Sequence, residues 1–255
     1  MAITLRGISV NPDDLDGLPG PTVSVATVAS MAAGDLCIIV SQQRTTADGA
    51  PMEILETGGQ TWTSEGAIGS PDHSPPGSVA LFWCRFNGTW TANPSVTFTT
   101  GTMALTVAMI VFIPTTATNS WLKEHEQTFV EFAAPGGAGT VTITTSSRAF
   151  NHANNVSLAF WATPDDNTWT NTAGTGWSLV GAVEQYRNTQ GLDQSIAFAY
   201  RIGTAIGAPN NVSKDQGTTA PGPDAGHWNY ITFFELAASV KIIGSTKLIG
   251  SVKIV

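Results

Sequence analysis

The sequence predicts an all-β chain: an antiparallel β-sandwich of jelly-roll type, built from two duplicated halves and followed by a short C-terminal β-repeat tail. Three observations carry this prediction. Short β-branched or aromatic runs are separated by Gly, Pro, Asn and Asp clusters such as NPDDLDGLPGP and GSPDHSPPGS, which leave almost no room for helix. Six segments of the first half recur in the same order in the second, at offsets between 115 and 123 residues. Residues Val240 to Val255 repeat one phrase with a period of six.

Taken along the chain, PTVSVAT at 21–27 places Val23 and Val25 on one face and hydroxyl residues on the other, as in a sheet wet on one side. GTVTITT at 139–145 does the same with Val141 and Ile143. DLCIIV at 35–40 and LFWCRF at 81–86 are apolar on both faces, as central strands covered above and below should be. NVSLAF at 155–160 answers the first of these, and SIAFAY at 195–200 answers SVALFW at 78–83. Thr61-Trp62 returns as Gly176-Trp177, Ser95-Val96 as Asn211-Val212, and LTVAMIVFI at 105–113 as WNYITFFEL at 228–236. The expected units are 1–118, 119–237 and the tail 238–255, with the halves joined around Thr118 to Gly139. Whether the halves share one core or form two is open at this stage. Trp62 and Trp177, and likewise Trp83 and Tyr200, hold equivalent places and are expected to pack in the cores. Trp90, Trp121 and Trp169 have no counterpart and sit beside turn residues, which predicts partial exposure. Cys37 and Cys84 lie inside apolar runs and are expected as buried, reduced thiols.

In the tail, Lys241, Lys247 and Lys253 recur in phase, as do Ile242, Leu248 and Ile254, while Gly244-Ser245 recurs as Gly250-Ser251. A pass this short cannot bury its own apolar face, so either the body of the protein or neighbouring chains must cover it, and in the second case Ile242, Ile243, Leu248, Ile249 and Ile254 are the expected self-association residues. A meander with type II′ turns at Gly-Ser would set Ile242 opposite Lys247, whereas a wound form stacks Ile on Leu on Ile. The wound or intertwined form, in a trimer, keeps the apolar face pure and is preferred.

Charge narrows the function classes. Only 12% of residues are charged, against about 25% in an average chain, and the formal net charge is -8. With 11 Lys and Arg in all, a phosphate-binding surface is not expected, so nucleic acid is excluded as a partner. The first ten residues contain no continuous apolar stretch of the secretory kind, and no run reaches the length of a spanning helix, so a cytoplasmic site of synthesis and no membrane span are expected. His73, His125, His152 and His227 fall in separate loop-like settings, and His125-Glu126 lacks the second histidine of a zinc-protease motif. No nucleophile elbow, phosphate loop or dinucleotide fingerprint occurs. Asp13, Asp14 and Asp16 read as an Asx-rich turn more than as a calcium loop, and Asp165, Asp166 and Asn167 form a similar turn. Glu124 and Glu126 can be imagined as a carboxylate pair for glycoside hydrolysis, but as solvated strand or loop charges they need no special role. No enzymatic activity, cofactor or metal is expected.

Ala33-Gly34-Asp35-Leu36 before an apolar strand, Gly59-Gln60-Thr61-Trp62, Trp83-Cys84-Arg85, Val96-Thr97-Phe98 and the strand Leu105 to Ile113 together resemble the tandem β-sandwich proteins of bacteriophage structural genes and their prophage relatives, over about residues 20 to 237. The chain departs from that pattern in having no proline just before Trp62 or Trp177. The hexads are similar to repeats at the ends of phage appendage and surface proteins. The resemblance implies a non-enzymatic virion component, a head decoration, tail or fibre-associated protein, bound to other copies of itself and to other virion proteins. The rival expectation is a lectin-like carbohydrate-binding module in which Trp90, Trp121 and Trp169 stack on the rings of a host glycan.

Overall fold

The computed structural model describes residues 2–13, 22–45, 52–55, 58–70, 77–98, 102–132, 139–146, 149–163, 167–179, 185–188, 194–203, 206–207, 211–217 and 225–238. The expected tail residues Ile242, Ile243, Leu248, Ile249 and Ile254, together with Asp14, Asp16, His73, Asp165 and Asp166, lie outside these.

Strands form four antiparallel sheets. A five-stranded sheet has the order β1 (Thr4–Asp13), β8 (Thr102–Ile113), β3 (Leu36–Thr45), β6 (Gly77–Arg85), β5 (Thr63–Ser70). A three-stranded sheet of the same half has the order β2 (Thr22–Ser24), β7 (Ser95–Phe98), β4 (Met52–Leu55). The second half repeats both orders. Its larger sheet runs β9 (Ser120–Phe132), β17 (Gly226–Leu236), β11 (Asn155–Thr163), β15 (Gln194–Gly203), β13 (Ser178–Leu179), with β14 (Gln185–Asn188) also paired to β15. Its smaller sheet runs β10 (Val141–Thr144), β16 (Ser213–Gly217), β12 (Thr168–Ala173). Five of the six recurring sequence segments fall on or beside corresponding strands, whereas Asn211-Val212 lie just before β16 and Ser95-Val96 open β7.

Two-residue periodicity explains how these sheets stack. On β3, Leu36, Ile38 and Val40 point one way and Cys37 and Ile39 the other, and both sets are buried. The first set packs against Val156, Leu158, Phe160 and Ala162 of β11 in a central core shared by both halves. The second set packs against Val23, Val25, Met52 and Val96 of the small sheet. Beyond β11, Ala159 and Trp161 meet Ile143, Trp169 and Val212 of the other small sheet. The order of layers is small, large, large, small, and the two large sheets are covered on both faces. Cys37 and Cys84 face each other across β3 and β6 as free, buried thiols. Burial, reinforced by a hydrogen bond with Cys84, pushes the Cys37 thiol well above its ordinary range.

The central contact is reciprocal. Trp83 lies opposite Ile38, and Tyr200 holds the same position opposite Leu158. Leu36 is level with Phe112, and Val156 with Phe233. Trp83 meets Phe233 edge-on at 4.9 Å, and Tyr200 meets Phe112 at 5.8 Å, so each half offers the other the same pair of rings, as in an isologous interface. This register equates Phe112 with Phe233, which shifts the sequence match of β8 to β17 by two residues and leaves every side chain on its expected face. The junction also differs from expectation. Residues 114–119 join the halves, and much of Thr118 to Gly139 is β9, whose Trp121 takes the place that Ile3 has in the first half, both within the central core.

Candidate functional site: the groove beside Trp62

In the first half β5 pairs with β6 of the large sheet, leaving β4 as the edge of the small one. The space beside β4 is a groove of about 310 Å³, lined by Met52, Glu53 and Ile54 of β4, Trp62 and Ser64 at the start of β5, and Phe82 of β6. Alternation along β4 buries Met52, half-buries Ile54 and exposes Glu53 and Leu55. Met52 is fixed from below, its sulfur accepting a hydrogen bond from Ser41 Oγ at 3.3 Å.

The aromatic wall is held by a polar knot in two turns. Gln60 Nε2 donates to Asn87 Oδ1 at 2.8 Å and to the Thr89 carbonyl at 2.7 Å, while Gln60 Oε1 accepts from the Asn87 backbone N–H at 2.9 Å. Asn87 Nδ2 returns to the carbonyls of Gly58 and Gly59. These bonds tie the turn before Trp62 to the turn before Trp90. The rings then stack, Phe86 on Trp90 at 4.8 Å and Trp90 on Trp62 at 6.3 Å, and Trp90 Nε1 donates to Met31 Sδ at 3.4 Å. A half-buried indole, a carboxylate and a hydroxyl line one concave face, an arrangement suited to binding a segment that is partly apolar and partly cationic or hydrogen-bonding.

The three tryptophans expected on the surface behave differently. Trp90 is half-buried in this stack, so one of the three stays partly accessible. Trp121 is only 4% exposed and donates its indole N–H to the Gly34 carbonyl at 2.9 Å. Trp169 is 1% exposed, donates to Ser195 Oγ at 3.0 Å and packs near Trp161. Neither offers a face to a sugar. Their turn neighbours mark strand starts, and a ring at a strand start is swallowed when that strand is covered by another layer. Trp62 and Trp177, expected as packing residues, are both half-buried, and the indole N–H of each is buried without a hydrogen-bond partner among the described residues. The repetition of that feature marks it as part of the duplicated packing.

Of the titratable candidates, Glu124, His125 and His152 gather around Asn151. His125 and His227 lie within β9 and β17, not in loops, and His152 occupies a turn. Glu124 Oε1 sits 3.2 Å from His152 Nδ1 and accepts from the Asn151 backbone N–H, while His152 stacks on Phe234 at 3.7 Å. His125 Nε2 lies 3.0 Å from the Ala149 carbonyl. Glu126 binds Lys123. Among the described residues no group of three or more His, Cys, Asp or Glu is placed to hold a metal, and no helix is long and apolar enough to cross a membrane.

The groove itself escaped sequence reasoning. Its floor strand, MEIL, is too short to show a period, and the pairing of β5 with β6 of the large sheet leaves no local trace. No family model, curated protein or solved structure matches the chain.

Proposed function

We propose that this chain is a non-enzymatic structural or surface protein of a virus particle, a head decoration, tail or fibre-associated component that associates with its own copies through the C-terminal hexads. The observation that supports this reading is the central core, to which β3, β8, β9, β11, β15 and β17 of both halves contribute. Two sandwiches joined in this way cannot part without exposing apolar faces of both, which suits a body that must resist local opening. Polar stitches reinforce it: Thr115 donates from both N and Oγ1 to Glu235 at 2.6 Å, and Gln42 Nε2 donates to the Thr163 carbonyl at 2.5 Å. The tail's sequence adds a repeating apolar pattern of the kind that would join such bodies together.

Light scattering of the full chain across a concentration series tests the reading. Masses at multiples of 26.7 kDa, three being the expected one, with reversion to single chains on Ile242→Asp, Leu248→Asp and Ile254→Asp, support it. A wild-type chain that stays single at every concentration overturns the assembly role. Mass spectrometry of purified particles checks the location: copies in fixed ratio to the shell protein are expected, and their absence removes the virion assignment.

A further inference from the structure

We propose that the groove beside Trp62 is the receptor for the hexad tail of a neighbouring chain, which adds to the free edge of β4 as an extra strand. This rests on the self-association reading above and names the surface on which it takes place.

The first support is topological. Among the described residues β4 has β7 as its sole strand partner and β5 has β6 as its sole strand partner, so the groove lies between two sheet edges. Edge backbone groups attract an added strand, with main-chain bonds supplying affinity and alternate side chains supplying register. The second is a match of pattern and length. β4 reads Met52-Glu53-Ile54-Leu55, apolar, acidic, apolar, apolar. The hexads read Val240-Lys241-Ile242-Ile243 and Val252-Lys253-Ile254-Val255, with Thr246-Lys247-Leu248-Ile249 between them. Each is a run of four preceded by Ser, with Lys where β4 has Glu. A hexad laid alongside β4 in parallel sets its Lys level with exposed Glu53 and its first and third residues level with Met52 and Ile54, facing Trp62 and Phe82. Antiparallel pairing with the same Lys and Glu level keeps both apolar neighbours.

The third support is charge. The tail holds three of the chain's 11 Lys and Arg and no acid, whereas all 19 Asp and Glu lie in the body. The counterpart strand β12, TWTNTA, contains neither an acid nor this alternation, which singles out β4. One four-residue edge takes one hexad. A tail of nearly three hexads therefore carries more repeats than there are matching edges among the described residues, which favours links between chains.

The test uses the full chain in low salt, with assembly followed by sedimentation. Glu53→Lys is expected to raise the concentration at half-assembly about tenfold by turning a level ion pair into a repulsion, and the triple change Lys241→Glu, Lys247→Glu, Lys253→Glu is expected to do likewise. Combining all four changes is expected to restore assembly to near the wild-type level, an outcome that misfolding cannot imitate. If wild-type chains assemble but Glu53→Lys leaves the midpoint unmoved, the tail uses another surface and this inference falls while the assembly role stands. If wild-type chains are single at every concentration, the assembly role falls and takes this inference with it. Protection of β4 amides from hydrogen exchange in a single chain, lost on Glu53→Lys, would place the tail in its own groove and overturn the link between neighbours. Binding on a glycan array abolished by Trp62→Ala, with assembly indifferent to Glu53, would give the groove to a sugar.

Discussion

Lys123, near the start of β9, reaches across the junction of the halves to Glu65 and also binds Glu126 on its own strand. Glu65 is 5% exposed at its side chain, and its other oxygen accepts the Trp83 indole N–H at 2.5 Å, so one carboxylate serves both the lysine and the ring that contacts Phe233. Burial by itself lowers the Lys123 ammonium, but hydrogen bonds to Glu126 and then Glu65 outweigh it, and the net displacement is upward. A lysine raised on folding contributes stability that is complete below its unfolded value, about 10.4, and fades as pH climbs through the higher folded value. Lys123→Met is expected to cost about 1 to 3 kcal/mol at neutral pH, because it leaves Glu65 buried without its cation. Urea midpoints for the two proteins should then converge as pH passes about 10.4. A gap that persists unchanged to higher pH would mean that the residue contributes packing and not charge. None of this is visible in the sequence, where Glu65 and Lys123 are 58 residues apart.

At the level of elements, the entries to β3 and β11 show how two sequences satisfy one geometry. Gly34 has φ +102° and Asn154 has φ +52°, each followed by a buried polar residue at the strand entry, Asp35 just before β3 and Asn155 at the start of β11. Asp35 accepts from the Ala32 N–H at 2.9 Å and pairs with Arg6 at 2.7 Å, whereas Asn155 donates to the His152 carbonyl at 2.6 Å. At Gly34 a Cβ would stand 2.4 Å from the Ala117 carbonyl oxygen, a backbone atom of the segment joining the halves. Gly34→Ala is therefore expected to lower stability by at least about 2 kcal/mol, since left-handed strain and a backbone collision add. Asn154→Gly should change it by less than about 1 kcal/mol, asparagine being already at home there. Urea denaturation of both variants checks the contrast, and equal losses would contradict it. The alignment of DLCIIV with NVSLAF made this equivalence legible beforehand, because a buried strand entered from a tight turn writes both its apolar run and its turn residue into consecutive positions. The edge status of β4 had no such signature. It follows from where β5 goes, and that depends on pairing with β6.

At the scale of the molecule, the shared core predicts that the halves unfold together. Phe233→Ala removes a buried ring from the centre of that core and is expected to cost about 3 to 5 kcal/mol. Calorimetry should show one transition shifted as a unit, and two separate peaks, only one of them moved, would mean that each sandwich stands alone. Alternation and turn clusters were enough to establish from the amino-acid order an all-β, sandwich-like chain, because these are local patterns that any strand must display to bury one or both faces. Long-range pairing settled the rest: a central core shared by both halves, rings of Trp121 and Trp169 closed off from solvent, and β4 at the edge of its sheet among the described residues. The physical reason is that a strand's sequence records how many of its faces are covered, but not which partner covers them; that is chosen by the summed contacts of segments far apart in the chain.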